Sequence, residues 1–135
     1  MIDFQIDRIE LGRFSLTNEA LAYSDNIFEF KLDIEHRFAL DEELILVVLQ
    51  GHILSSDKVE LAVVEANMFY KVPNLKNFEN KKEQIMELPA EFITMLHSMS
   101  VSTLRGIMFS QFRGTNLHHA ILPVLNHTSV KGENK

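Results

Sequence analysis

Six histidines and nineteen carboxylates are the side chains best suited to metal binding or proton transfer in this 135-residue chain, and cysteine is absent. Without a thiolate there is no disulfide, no Cys-ligated zinc site and no Cys nucleophile. His118-His119 is the most tempting pair, but neighbours on a strand point to opposite sides, and H-E-x-x-H is missing, so no metal site is expected. His97 stands alone. Asp41-Glu42-Glu43 has the charge to attract a cation but lacks the ligand spacing of a calcium loop, and reads as a charged turn. Gly12, Gly51, Gly106 and Gly114 are scattered, so no glycine-rich phosphate cradle forms, and no G-x-S-x-G elbow is present. The residues point to no catalytic constellation and no cofactor. An enzyme using His97, His118 or His119 stays as the alternative of another class.

What exceeds expectation is apolar: ten Phe and six Met, against 46% hydrophobic residues overall. Such residues build cores first, and binding surfaces where a core cannot hold them. Thirteen basic and nineteen acidic residues leave a net charge of −6, which repels phosphate backbones and argues against nucleic-acid binding. The longest apolar run is the six residues 44–49, whereas a membrane helix needs about twenty. The Met1-Ile2-Asp3 opening is acidic and does not match a signal peptide, so the cytoplasm is the expected compartment, without membrane insertion.

The elements that must position these side chains change character along the chain. Phe4 and Ile6 share one parity, Ile9 and Leu11 the other, and Phe14 and Leu16 return to the first. A regular strand cannot hold that pattern on one face. A long strand with irregularities near Asp7-Arg8 and Gly12-Arg13 can, and so can two short strands with a kink. Residues 16–26 read as a polar connection ending in Ser24-Asp25-Asn26. Phe28, Phe30, Leu32 and Ile34 then alternate with Glu29, Lys31, Asp33 and Glu35, the signature of a half-exposed antiparallel strand. Residues 44–49 are apolar on both parities and call for cover on both faces. Ser55–Lys58 is a hairpin turn, and Val59–Lys71 a further strand.

The chain divides into a sheet over 1–74, a charged connecting loop over 75–88, helices and an apolar segment over 89–126, and a disordered polar tail over 127–135, all one domain. Pro89 suits a first helical position, and Phe92, Leu96 and Met99 follow at helical spacing. Ser100 or Ser102 would cap a second helix with the stripe Val101, Leu104, Met108, Phe112, closed by Arg113 and Gly114. The expected class is α+β: a four-stranded antiparallel sheet, meander or Greek key, with C-terminal helices packed on one face. Two short helices cover one sheet face only, so oligomerisation is the simplest way to bury the remainder.

Several short stretches, in order along the chain, resemble the SecB export chaperones: Phe4-Gln5-Ile6-Asp7-Arg8-Ile9, Phe30-Lys31-Leu32-Asp33-Ile34, Val47-Val48-Leu49, Arg105, Arg113-Gly114-Thr115 and Leu122-Pro123-Val124-Leu125-Asn126. The resemblance implies a four-stranded sheet with two helices and a cytoplasmic homotetramer, a dimer of dimers with paired first strands. It implies a holdase without enzymatic activity or nucleotide, which binds unfolded precursor proteins for export and translocation. By position it implies client contacts at Phe30, Leu32 and Ile34, and on the helix at Phe92, Leu96 and Met99. It implies self-association through Phe4, Ile6, Ile9, Leu61, Val63, Leu104 and Met108, with the polar Glu65 departing from the family pattern. The acidic face that docks the motor SecA falls on Arg13, Thr17, Glu60 and Ala62, of which only Glu60 is acidic. SecA is therefore a doubtful partner, and a SecB-like chaperone dedicated to the antitoxin of a toxin–antitoxin system is the alternative.

Overall fold

The computed structural model describes residues 2–124; the polar tail foreseen over 127–135 lies outside them. Strand β1 (Gln5–Leu16) leads through a short helix α1 (Asn18–Ala22) to β2 (Glu29–Ala39), β3 (Leu44–Leu54) and β4 (Glu60–Lys71). The four form one antiparallel sheet in the order β1-β4-β3-β2. The order is Greek-key-like: three strands follow one another by hairpins, and the first lies beside the last. After a small two-stranded ribbon, β5 (Glu79–Asn80) with β6 (Ile85–Met86), the chain enters helix α2 (Ala90–Gln111).

The parity switches of β1 are real register shifts. Its pairing with β4 jumps between Ile6 and Arg8 and again between Leu11 and Phe14. Directly paired residues share a face. Ile6, Ile9, Leu11, Phe14 and Leu16 thus stand on the same side as their partners Tyr70, Met68, Ala66, Val64 and Ala62, all buried. The extra residues let a sequence without a steady period keep five apolar side chains on one face.

That face is the one α2 covers. The helix lies over β3 and β4. Ile45, Val47, Leu49 and Ile53 of β3 are fully buried beneath it. Gly51 is their small member: a Cβ there would sit 3.4 Å from Leu104 Cδ2 and 3.4 Å from Met108 Sδ, so the missing side chain lets α2 come close. The other parity of β3, Leu46, Val48, Gln50 and His52, is half-buried on the outer face. Cover of 44–49 on both faces is thus reached on one side only.

One helix replaces the two expected. Ser100 and Ser102 both lie inside α2. Ser100 Oγ donates to the Leu96 carbonyl at 2.7 Å and shares a 2.8 Å hydrogen bond with the Tyr70 hydroxyl. A serine so satisfied has no need of a helix end. The two stripes read from the sequence therefore fuse into one buried face: Phe92, Leu96, Val101, Leu104 and Met108. Pro89 is the N-cap rather than the first helical residue, and its carbonyl accepts from the amides of Phe92 and Ile93. Gly114 adopts φ +80° just past the helix, the left-handed position its sequence context suggests.

Two connections carry more structure than expected. Within 16–26, Thr17 caps α1 by accepting the Ala20 amide through Oγ1 at 3.3 Å. Within 75–88, a 3₁₀ turn at Leu75–Phe78 precedes the β5–β6 ribbon, and Leu75 is fully buried. Beyond α2 the chain folds back: Arg105 donates to the carbonyls of Leu122 at 2.6 Å and Pro123 at 2.9 Å. Leu117, Ala120 and Leu122 join the core.

Candidate functional site

Among the described residues, three surface regions stand out once the core is assembled. The first lies between β1 and the near flank of α2. Rings close its two ends: Phe4 meets Phe92 edge-on with centroids 5.5 Å apart, and Phe14 meets Phe112 at 5.8 Å. Between these clasps Ile6 is 45% exposed, Ile9 46% and Leu11 44%. On the helix, Met95 and Met99 follow Phe92 three and seven positions on and so lie on the same flank. Both are half-buried. Gly106, seven residues further, has nothing within 4 Å of where its Cβ would stand. The region is an apolar trough with a bare helix floor at one end.

The second region is the seam between α2 and edge strand β2. Phe30, Leu32, Ile34 and His36 share the helix side of β2, opposite Ile53, Gly51, Leu49 and Val47. Leu32 and Ile34 are buried, at 7% and 2% exposure, whereas Phe30, His36 and Phe38 are half-buried. From the helix, His97 reaches His36: Nε2 and Nδ1 are 3.1 Å apart, with ring centroids at 5.1 Å. Burial foremost, and the neighbouring His36 second, hold the His97 imidazole down at about 4. Deeper in the core, burial pushes the Tyr70 phenol up, and its hydrogen bond to Ser100 opposes that shift.

The third region is the outer face of the sheet, a polar network. Gln50 donates to Glu65, and His52 bonds Glu60 at 2.8 Å and Gln50 at 3.0 Å. Arg8 covers the Phe69 ring at 3.8 Å. A shallow recess of about 420 Å³ opens among Asp33, Glu35, Arg37, Val48, Gln50 and Glu65.

The residues singled out from sequence separate under this geometry. Phe30 and Met99 present accessible apolar surface, and Leu32, Ile34, Phe92 and Leu96 are core residues within the subunit. Phe4, Ile6 and Ile9 line the trough; Leu61, Val63, Leu104 and Met108 are buried. The positions carried over for a motor-docking face do not gather into one. Arg13 pairs with Glu65 at 3.8 Å, Thr17 caps α1, Glu60 engages His52, and Ala62 is buried on the helix side. His118 and His119 contact each other by their rings, and His118 Nδ1 bonds the Thr115 carbonyl at 2.8 Å. Among the described residues no three His, Cys, Asp or Glu side chains converge as metal ligands.

Three features escaped the sequence reading. Leu11 belongs to the trough, as its shared parity with Ile9 could have told. His36 lies on the helix side because it continues the even parity of Phe30, Leu32 and Ile34. Phe109, 51% exposed, falls off the apolar stripe of α2 and carried no signal beyond that.

The fold is that of the SecB-like chaperones. The SecB-like chaperone Rv1957 of Mycobacterium tuberculosis, solved in complex with a ChAD peptide from the antitoxin HigA1, superposes with a TM-score of 0.61, covering 91% of this chain and 90% of that one at 16% sequence identity. No protein-family model matches the sequence, and no curated protein matches it significantly. No described helix is long and apolar enough to cross a membrane.

Proposed function

We propose that this chain is a SecB-like chaperone, not an enzyme: it assembles with copies of itself through the β1–α2 trough and binds extended polypeptide along the β2–α2 seam. The observation that carries the reading is the shared fold over nine-tenths of both chains with a chaperone solved on a peptide. Physical support comes from the subunit. Ile6, Ile9 and Leu11 form a contiguous exposed apolar row, and a second copy gives such a row cover. A homotetramer satisfies it, as a dimer of dimers does in the family this chain resembles.

Between the two client readings, a dedicated antitoxin client is favoured over general export. The structural neighbour carries an antitoxin peptide, and of the carried-over motor-docking positions here only Glu60 is acidic, and it is engaged by His52, while Arg13 is basic, Thr17 caps α1 and Ala62 is buried. The deciding experiment titrates the purified protein against a chemically unfolded reporter enzyme and against a panel of extended apolar peptides. Suppression of aggregation at stoichiometric amounts supports chaperone activity. Affinities that spread over about a hundredfold or more across the panel support a dedicated client, and near-equal affinities the export holdase. Neither suppression nor peptide binding overturns the proposal.

A further inference from the structure

The chain leaves α2 through a densely bonded turn. Thr115 Oγ1 donates to the Phe112 carbonyl at 2.7 Å and accepts the Leu117 amide at 3.0 Å, and Asn116 Nδ2 donates to the Leu21 carbonyl at 2.6 Å. The Ala120 amide closes the turn on the Leu117 carbonyl at 2.8 Å. From there the character changes. Residues 120–124 belong to no helix or strand. Among the described residues, the main chain of 121–124 has one hydrogen-bond partner, the Arg105 guanidinium, which donates from Nε to the Leu122 carbonyl at 2.6 Å and from Nη2 to the Pro123 carbonyl at 2.9 Å. Ala120 and Leu122 are buried, whereas Ile121, Pro123 and Val124 are exposed.

A groove holds an extended peptide in this way, with the main chain gripped whatever its sequence and alternate side chains in pockets. Arg105 continues the row of His97 and Val101 at steps of four, so its grip stands on the flank of α2 that meets β2 through His97. We propose that residues 120–124 are a strap occupying, in cis, a polypeptide seat at the end of the β2–α2 seam. An extended apolar segment of another chain, with a small residue and a leucine two positions apart, takes the seat by displacing the strap. Arg105 is the main-chain grip for both. That this other chain is a client rests on the chaperone reading above. The strap, not the turn, is the part that moves: the turn is held by several side-chain and backbone bonds, the strap by two from one side chain, of which the bond to Pro123 is exposed. Until it leaves, the strap keeps the apolar seat covered. It also lowers the apparent affinity of every ligand by the fraction of time the seat is closed, so that poorly matched segments are turned away.

The test uses the full-length protein and a fluorescein-labelled peptide of residues 117–124, with a scrambled peptide of the same composition as control. In protein carrying ¹³C-methyl leucine, the Leu122 signals are assigned by their loss in Leu122→Met. The expected result is that the peptide binds and the Leu122 methyls move to the shifts of an exposed leucine with the same midpoint. Leu122→Ser loosens the strap and leaves the seat intact, so it should tighten peptide binding about tenfold or more. Adding Arg105→Ala should weaken binding again about tenfold, and Arg105→Lys, a charge without the fork, should weaken it nearly as much. The methyl titration is made on wild type and stands whether or not Leu122→Ser folds, which circular dichroism reads. Four results overturn the strap: no peptide binding to wild type or folded Leu122→Ser, binding that leaves the Leu122 methyls in place, a scrambled peptide that binds as tightly, or a folded Leu122→Ser no tighter than wild type. A Leu122→Ser protein that pairs its chains instead of taking peptide also overturns it and gives the seat to a second copy. In a separate arm, aggregation of an unfolded reporter enzyme is followed with wild type. Suppression without strap displacement leaves the chaperone reading standing and removes the strap; displacement by peptide without suppression leaves the seat and removes its client role.

Discussion

Replacing Ile9 with threonine is expected to weaken the proposed self-association and leave the subunit folded. Ile9 is 46% exposed in the isolated chain, so about half of its burial energy remains to be gained from a partner. Full burial of an isoleucine side chain is worth about 1.5–3 kcal/mol, which leaves about 1 kcal/mol for that half. A two-fold contact uses each residue twice, so one substitution costs about 2 kcal/mol and weakens association about 30-fold. Threonine keeps the branched shape a strand favours, and the change touches little of the core. With Ile6→Thr and Leu11→Thr added, at 45% and 44% exposure, the loss reaches about 6 kcal/mol and about 10⁴-fold. Sedimentation velocity over a concentration series reads the association constant directly, and far-UV circular dichroism confirms that the variant is folded. If the triple variant sediments as wild type does, or if wild type is monomeric at high concentration, the trough is not the self-association surface.

Other perturbations test the interior and the seam. Leu104→Ala removes a fully buried side chain packed toward Gly51 and should lower stability by about 2–5 kcal/mol in urea unfolding. Arg105→Ala deletes the guanidinium that holds the Leu122 and Pro123 carbonyls; limited proteolysis should then cut within residues 113–124 several times faster, with α2 still intact. His97 sits at about 4 in the folded chain against its ordinary 6.5. The folded state therefore binds fewer protons than the unfolded state between those values, and the stability it contributes is present above pH 6.5 and lost as the pH falls toward 4. Because the ring is half-exposed, screening leaves about 1–2 kcal/mol of that effect. His97→Gln should flatten this part of the stability profile.

Period and parity carried the sheet. The two jumps in β1 were legible as parity switches because a buried face tolerates no slip, and the alternation of β2 showed its two sides. Parity does not say which layer lies above a face. Leu32 and Ile34 read as an open stripe from the sequence, and α2 covers them. The single long helix was hidden by serines whose cap preference holds only when their hydroxyls lack a partner; here Leu96 and Tyr70 supply one to Ser100. The His36–His97 contact joins positions 61 residues apart, and no local pattern encodes so distant a pairing.

In the self-association proposed above, the two jumps in β1 would also limit how far copies accumulate. A smooth edge strand offers any passing strand an endless zipper, and this is how sheets grow into fibres. An edge that breaks step at Asp7 and at Gly12-Arg13 interrupts such a zipper before it runs far. The partner that fits best is one whose own contour breaks in the complementary places. A rim of this kind favours a closed, finite particle.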